Sequence, residues 1–140
     1  MNLIGIRKVH FIGIGGIGIS AIAKMMLCLK KEVSGSDLVF SEITDDLKRK
    51  GAKIYLSHKK ENLEEDTDLV IYSPAVPEEN PERKKAKELK IPMFSYSEFL
   101  GELSKDYFTI AVSGTNGKST TTALISLIFK KAGLDPTVVV

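Results

Sequence analysis

The sequence predicts an α/β fold: a Rossmann-like parallel sheet with helices on both faces, followed by the truncated start of a P-loop α/β domain. Three observations carry that prediction. Short apolar runs alternate with amphipathic stretches from Lys8 onward, the rhythm of strand and helix in turn. A Gly-x-Gly-x-x-Gly loop, residues 13–18, lies between an apolar run and a helical pattern. About 100 residues later a second glycine loop, 114–120, repeats that junction.

Each element follows from local chemistry. Residues 8–14 form a buried strand, after which Ile19, Ile22, Ala23 and Met26 recur at helical spacing. Glu32–Ser36 is a second short strand. Residues 42–50 are helical and stop at Gly51, whose tolerance of positive φ suits the position after a helix. Residues 53–56 and Leu69–Tyr72 are further strands, the latter bounded by Asp68 and Pro74. Residues 81–89 are a helix with Pro81 at its first position. Residues 92–95 are a strand and 97–103 a helix. The rhythm then restarts with a strand over 107–112, a helix over 120–131 ended by Gly133, and a strand beginning at 137–140. A parallel strand at the chain end, with no partner after it, suggests a truncation. The expected division is residues 1–105 as one whole domain and 106–140 as the first βαβ portion of another.

Bulk properties narrow the function. The formal net charge is only +2, with Lys and Arg interleaved among Glu and Asp, which argues against nucleic acid and anionic membrane as partners. The run from Glu82 to Glu88 has the pattern of a solvated helix face. One cysteine excludes an intrachain disulfide, and Cys28, among Met25, Met26, Leu27 and Leu29, is expected to be a small core residue. No apolar run reaches the roughly 18 residues of a membrane span, and no signal-peptide pattern opens the chain. A cytoplasmic location is the default.

The two loops carry the chemistry. In Gly13-Ile14-Gly15-Gly16-Ile17-Gly18 the glycines permit a tight turn and close approach of backbone to a pyrophosphate, whose charge the helix start favours. Asp37, about 20 residues on, ends the second strand where it could accept from a ribose or a base; Gly35-Ser36-Asp37 could equally be a plain turn. Gly114, Thr115, Asn116, Gly117, Lys118, Ser119 and Thr120 form a P-loop variant. Its amides can wrap a β-phosphate, Lys118 can reach the β- and γ-phosphates, and the Ser119 hydroxyl can join a Mg²⁺ shell.

This pairing of loops resembles the Mur ligase family of peptidoglycan synthesis. So do residues 11–21, Val33-Ser34-Gly35-Ser36-Asp37, Gly51-Ala52-Lys53-Ile54, His58 with Asn62, and Ser73-Pro74-Ala75-Val76 followed by Asn80-Pro81. The resemblance covers essentially the whole chain. It implies that Gly15, Gly16, Ile17 and Gly18 present amides to the diphosphate of a UDP-sugar. Asp37, Ser73, Pro74, Ala75 and Val76 would lie beside the uridine, with His58 near that pocket or simply a surface residue. It also implies that the second loop binds ATP, with Lys118 catalytic and Ser119 on the Mg²⁺. The lactoyl carboxylate of UDP-N-acetylmuramate would be phosphorylated, and L-alanine would attack the acyl phosphate.

Asn116 and Ser119 are closer to the D-glutamate-adding members than to those that add L-alanine, so the amino acid stays open, as does a tripeptide-recycling ligase. The main rival is an NAD-binding oxidoreductase domain, which leaves the second loop unexplained. A nucleotide-sugar binding module without activity is a third.

Overall fold

Strand periodicity divides the molecule into two faces. In a strand, alternate side chains point to opposite sides of the sheet. Val9 and Phe11, Val33, and Leu69 and Ile71 all enter one apolar cluster, whereas Ile12 and Val70 enter another. The computed structural model describes residues 3–139. Its strands are β1 (Lys8–Ile12), β2 (Glu32–Ser36), β3 (Lys53–Tyr55), β4 (Leu69–Tyr72) and β5 (Met93–Ser95). All neighbours pair in parallel, in the order β3-β2-β1-β4-β5. The chain thus winds outward from β1 to β3, then returns to the other side of β1 with β4. Between β1 and β4 the strand order reverses, and crevices form at the carboxyl ends of strands there.

Three helices cover the first face. α1 (Ile17–Cys28) buries Ile19, Ile22, Ala23 and Met26, α2 (Glu42–Arg49) buries Leu47, and α4 (Tyr96–Ser104) buries Phe99 and Leu103. The second face is covered by α3 (Pro81–Glu88), which contributes Ala86, and by the segment carrying Leu63. Caps set several helix starts. Ser41 and Thr44 form a reciprocal capping box at α2, Ser95 and Glu98 do so at α4, and Asn80 accepts from the amides of Glu82 and Arg83 at α3.

The structure corrects several expectations. The first strand ends at Ile12, because Gly13 already turns the backbone at φ +79°. Cys28 is exposed: it is the last residue of α1 and lies off the stripe that faces the sheet. Glu82 and Arg83, expected on a solvated face, are 0% and 6% exposed. Residues 107–112 are not a strand, and Phe108 is 94% exposed. A parallel strand exists only through its ladder, and among the described residues no neighbour pairs with this segment. Residues 137–139 are likewise irregular, and Val140 lies outside the described residues. The last helix, α5 (Lys118–Lys131), starts two residues earlier than expected and buries none of its described side chains.

Candidate functional site

Beyond the carboxyl ends of β1, β2 and β4 the loops enclose a cleft of about 740 Å³. Its floor is the first glycine loop. The amides of Gly13 and Ile14 both donate to Ser36 O, at 2.8 and 3.0 Å, stitching the loop to the end of β2. Gly13 needs to be glycine twice over: its φ is positive, and a Cβ there would stand 2.9 Å from that of Ser73.

One wall is built after β2. The Asp37 carboxylate accepts from the Gly15 amide at 2.8 Å through one oxygen and from the Val39 amide at 3.1 Å through the other. Leu38, Val39 and Ser41 continue that wall, the first two largely exposed. The opposite wall is the loop after β4. Ser73 donates its amide to Ile12 O, its carbonyl accepts from Val76, and its hydroxyl accepts from the Ala75 amide. Beneath, the Arg83 guanidinium donates to Val76 O at 2.8 Å and stacks 3.9 Å above the Tyr72 ring, holding that loop from below.

Of the residues expected to grip a UDP-sugar, Gly15, Gly16, Asp37, His58, Ser73, Ala75 and Val76 line this one cleft. Ile17, Gly18 and Pro74 do not line it. Gly15 spends its amide on Asp37, and the Gly16 amide reaches Gly13 O at 3.3 Å. The amides that open α1 have no side-chain cap, since Gly16 precedes the helix. Gly18 serves packing as well: a Cβ there would collide with the Tyr96 ring at 2.6 Å.

A buried polar cluster lies against the His58 side of the cleft, and sequence reasoning missed its centre. The Glu82 carboxylate accepts from His10 Nε2 at 3.0 Å, Ser36 Oγ at 2.6 Å, Asn62 Nδ2 at 2.7 Å and the Lys59 amide at 3.1 Å. Burial alone would push its pKa up. The bonds from His10, Ser36 and Asn62 outweigh that and hold it below the usual glutamate value. Its place in the first turn of α3 adds the favourable end of the helix dipole. The sequence signal that could have found it is Asn80-Pro81, which marks a helix start and puts Glu82 at its second position.

The second loop stands elsewhere, and none of residues 114–120 lines the cleft. Gly114 and Gly117 take φ of +151° and +76°, and Gly117 caps α5 with no side-chain bond. Lys118 Nζ folds back onto Gly114 O at 2.7 Å. Thr115, Asn116, Ser119 and Thr120 are exposed.

Comparisons with known proteins point to one family. Residues 8–108 match the Mur ligase family, catalytic domain. A UDP-N-acetylmuramate–L-alanine ligase of Acetivibrio thermocellus is 53% identical over 133 residues, 94% of this chain and 28% of that protein. A protein of the same name from Clostridium botulinum is 50% identical over 135 residues, 96% of this chain and 29% of its own length. Among solved structures, UDP-N-acetylmuramate-alanine ligase from Thermotoga maritima superposes with a TM-score of 0.83 at 37% identity, covering 90% of this chain and 30% of the other. A murein peptide ligase from Psychrobacter arcticus gives 0.81 at 27% identity, covering 92% and 27%. The chain therefore spans under a third of the length of these relatives.

Proposed function

Since the chain belongs to the Mur ligase family, we propose that it is the UDP-sugar-binding part of an ATP-dependent ligase that joins L-alanine to UDP-N-acetylmuramate in peptidoglycan precursor synthesis. The observation that carries the reading is the cleft, where the glycine loop, Asp37, His58 and the Ser73 loop meet at the point of strand reversal. The choice of L-alanine rests on the relatives about 50% identical, which bear that name. Residues 1–105 then form the sugar-nucleotide domain and 106–140 the opening of the ATP-binding one.

In this reading the diphosphate lies at the Gly15–Gly16 edge of the cleft, next to the opening of α1 at Ile17 and Gly18, whose amides favour negative charge. Asp37 braces the loop through Gly15 while its outer oxygen stays within reach of a ribose hydroxyl. The side chains after Asp37 and Ser73 give the uridine apolar walls.

The second loop suits a nucleotide triphosphate. Two left-handed glycines open the backbone, the first amides of α5 carry no side-chain cap, and the exposed Lys118 ammonium bonds a loop carbonyl. Lys118 can leave Gly114 O for the phosphates, where its charge offsets that of the phosphoryl group in transfer. Among the described residues no group of three His, Cys, Asp or Glu could hold a metal. A Mg²⁺ bound with the nucleotide would take the Ser119 hydroxyl as this chain's ligand, and it would supply charge neutralisation. The chemistry needs both loops because a carboxylate is a poor electrophile. Phosphorylation by ATP gives an acyl phosphate and ADP, and the alanine amine then displaces phosphate to leave an amide.

Calorimetry with UDP-N-acetylmuramate, NAD and ATP in parallel tests the reading. Heat from the UDP-sugar and none from NAD is expected. Binding of NAD without the UDP-sugar would overturn it.

A further inference from the structure

The Glu82 cluster does more than satisfy buried groups, because one of its chains ends in the cleft. His58 lines the cleft, and its Nδ1 lies 2.9 Å from Ser36 Oγ. Ser36 Oγ lies in turn 2.6 Å from Glu82 Oε2. His58 itself stands too far from the carboxylate to bond it, at 3.9 Å. Its link to Glu82 therefore runs through the serine.

The direction of each proton follows from the donors around Glu82. A carboxylate offers about four acceptor sites. Oε1 is taken by the Asn62 carboxamide N–H and the Lys59 amide, which can only donate. Oε2 is shared by His10 and Ser36. The carboxylate is ionised at neutral pH, since its neighbours depress its pKa. Ser36 has one proton, and a separation of 2.6 Å is that of a hydroxyl donating to a charged oxygen. With that proton spent on Glu82, Ser36 Oγ meets Nδ1 only as an acceptor, so Nδ1 carries the hydrogen.

We propose that Glu82 is a positioning residue for the cleft: through Ser36 it fixes His58 as the Nδ1–H tautomer, leaving Nε2 as a hydrogen-bond acceptor toward the ligand. The consequence is a selection by proton direction. His58 in this form pairs with a ligand group that donates, such as an imide N–H or a sugar hydroxyl. The tautomer is a property of the protein alone. Only the choice of probe below rests on the reading that the cleft holds a UDP-sugar.

Two-bond ¹H–¹⁵N correlation of the ligand-free chain, above the ordinary imidazole titration range, reads the tautomer directly. A pyrrole-type Nδ1 and pyridine-type Nε2 for His58 are expected, with a mixed or reversed pattern in Ser36→Ala and the original pattern in Ser36→Thr. The reverse tautomer in the unaltered protein overturns the proposal without any variant having to fold. Titration with UDP supplies the second readout. Ser36→Ala and His58→Ala are each expected to weaken binding about fivefold, and Ser36→Ala to add nothing in the His58→Ala background. Independent, additive losses would make Ser36 and Glu82 merely structural and overturn the positioning role. Failure of UDP to bind the unaltered chain would sink the UDP-sugar reading, with the tautomer still decided by the spectra.

Discussion

The Gly15 amide donates to the Asp37 carboxylate at 2.8 Å, so the acid that follows β2 clamps the glycine loop that follows β1. The fit is tight in both directions: a Cβ on Gly15 would meet that same carboxylate oxygen at 2.8 Å and Thr44 Cγ2 at 3.2 Å. Asp37→Ala removes the clamp and any ribose contact together. UDP affinity should fall at least tenfold, about 1.4 kcal/mol, in calorimetry at constant salt. An unchanged affinity would mean that Asp37 is only a turn residue.

Gly18 gives a prediction whose sign depends on its neighbour. In the natural background Gly18→Ala drives a methyl into the Tyr96 ring and should cost about 1–3 kcal/mol. With Tyr96→Ala also present, the same change should be neutral or gain up to about 1 kcal/mol, as alanine replaces glycine in a helix. Urea denaturation of the four proteins measures the cycle.

Glu82 should dominate the acid limb of stability, with Glu64 a minor contributor. Both are held below the usual glutamate pKa, Glu64 at about 2 by hydrogen bonds from Lys8 and Lys53. A depressed carboxylate contributes stability that is present above its unfolded value and lost as pH falls through the folded one. Melting temperature should therefore drop as pH falls below about 4.5 toward 2. Glu64 is close to the surface, so Glu64→Gln should change the profile little and less still in high salt. Glu82→Leu, which strands several buried donors, should cost about 3–5 kcal/mol at neutral pH.

Lys90 follows Leu89, the C-cap of α3, with φ +55° although it is not glycine. Lys90→Gly relieves that conformation at an exposed position and should raise stability by up to about 1 kcal/mol. Thermal or urea unfolding checks it, and a loss of stability would refute it.

Lys118 separates the two loops experimentally. Its ammonium bonds an exposed carbonyl of its own loop, so Lys118→Ala should leave the melting temperature and UDP binding of this chain unchanged. The chain by itself should release no phosphate from ATP above background, which a colorimetric phosphate assay tests.

Much of the site could be found from local pattern. A Gly-x-Gly-x-x-Gly run between a strand and a helix, an acid at the end of the next strand and a Ser-Pro turn after β4 are short-range signals, and the cleft gathers them. Glu82 escaped because Glu82-Arg83-Lys84-Lys85 has the composition of a solvated face. Nothing in that run says that its first two members are buried, one under four donors and the other beneath the Val76 carbonyl. Residues 107–112 failed in the opposite sense: the run has strand composition, but among the described residues no partner supplies a ladder.

Residues near one another in the chain were enough to set the alternation of the elements up to residue 104, most helix starts and the two glycine loops, because strand period, caps and glycine turns are decided within a few residues. Only the tertiary structure decided which polar groups meet. The Gly15–Asp37 bond joins residues 22 apart and the His10–Glu82 bond residues 72 apart. Such pairs exist only once the order β3-β2-β1-β4-β5 has brought the strand ends together. A buried carboxylate is costly unless donors meet it, and the donors around Glu82 come from distant segments that no local stretch of chain contains.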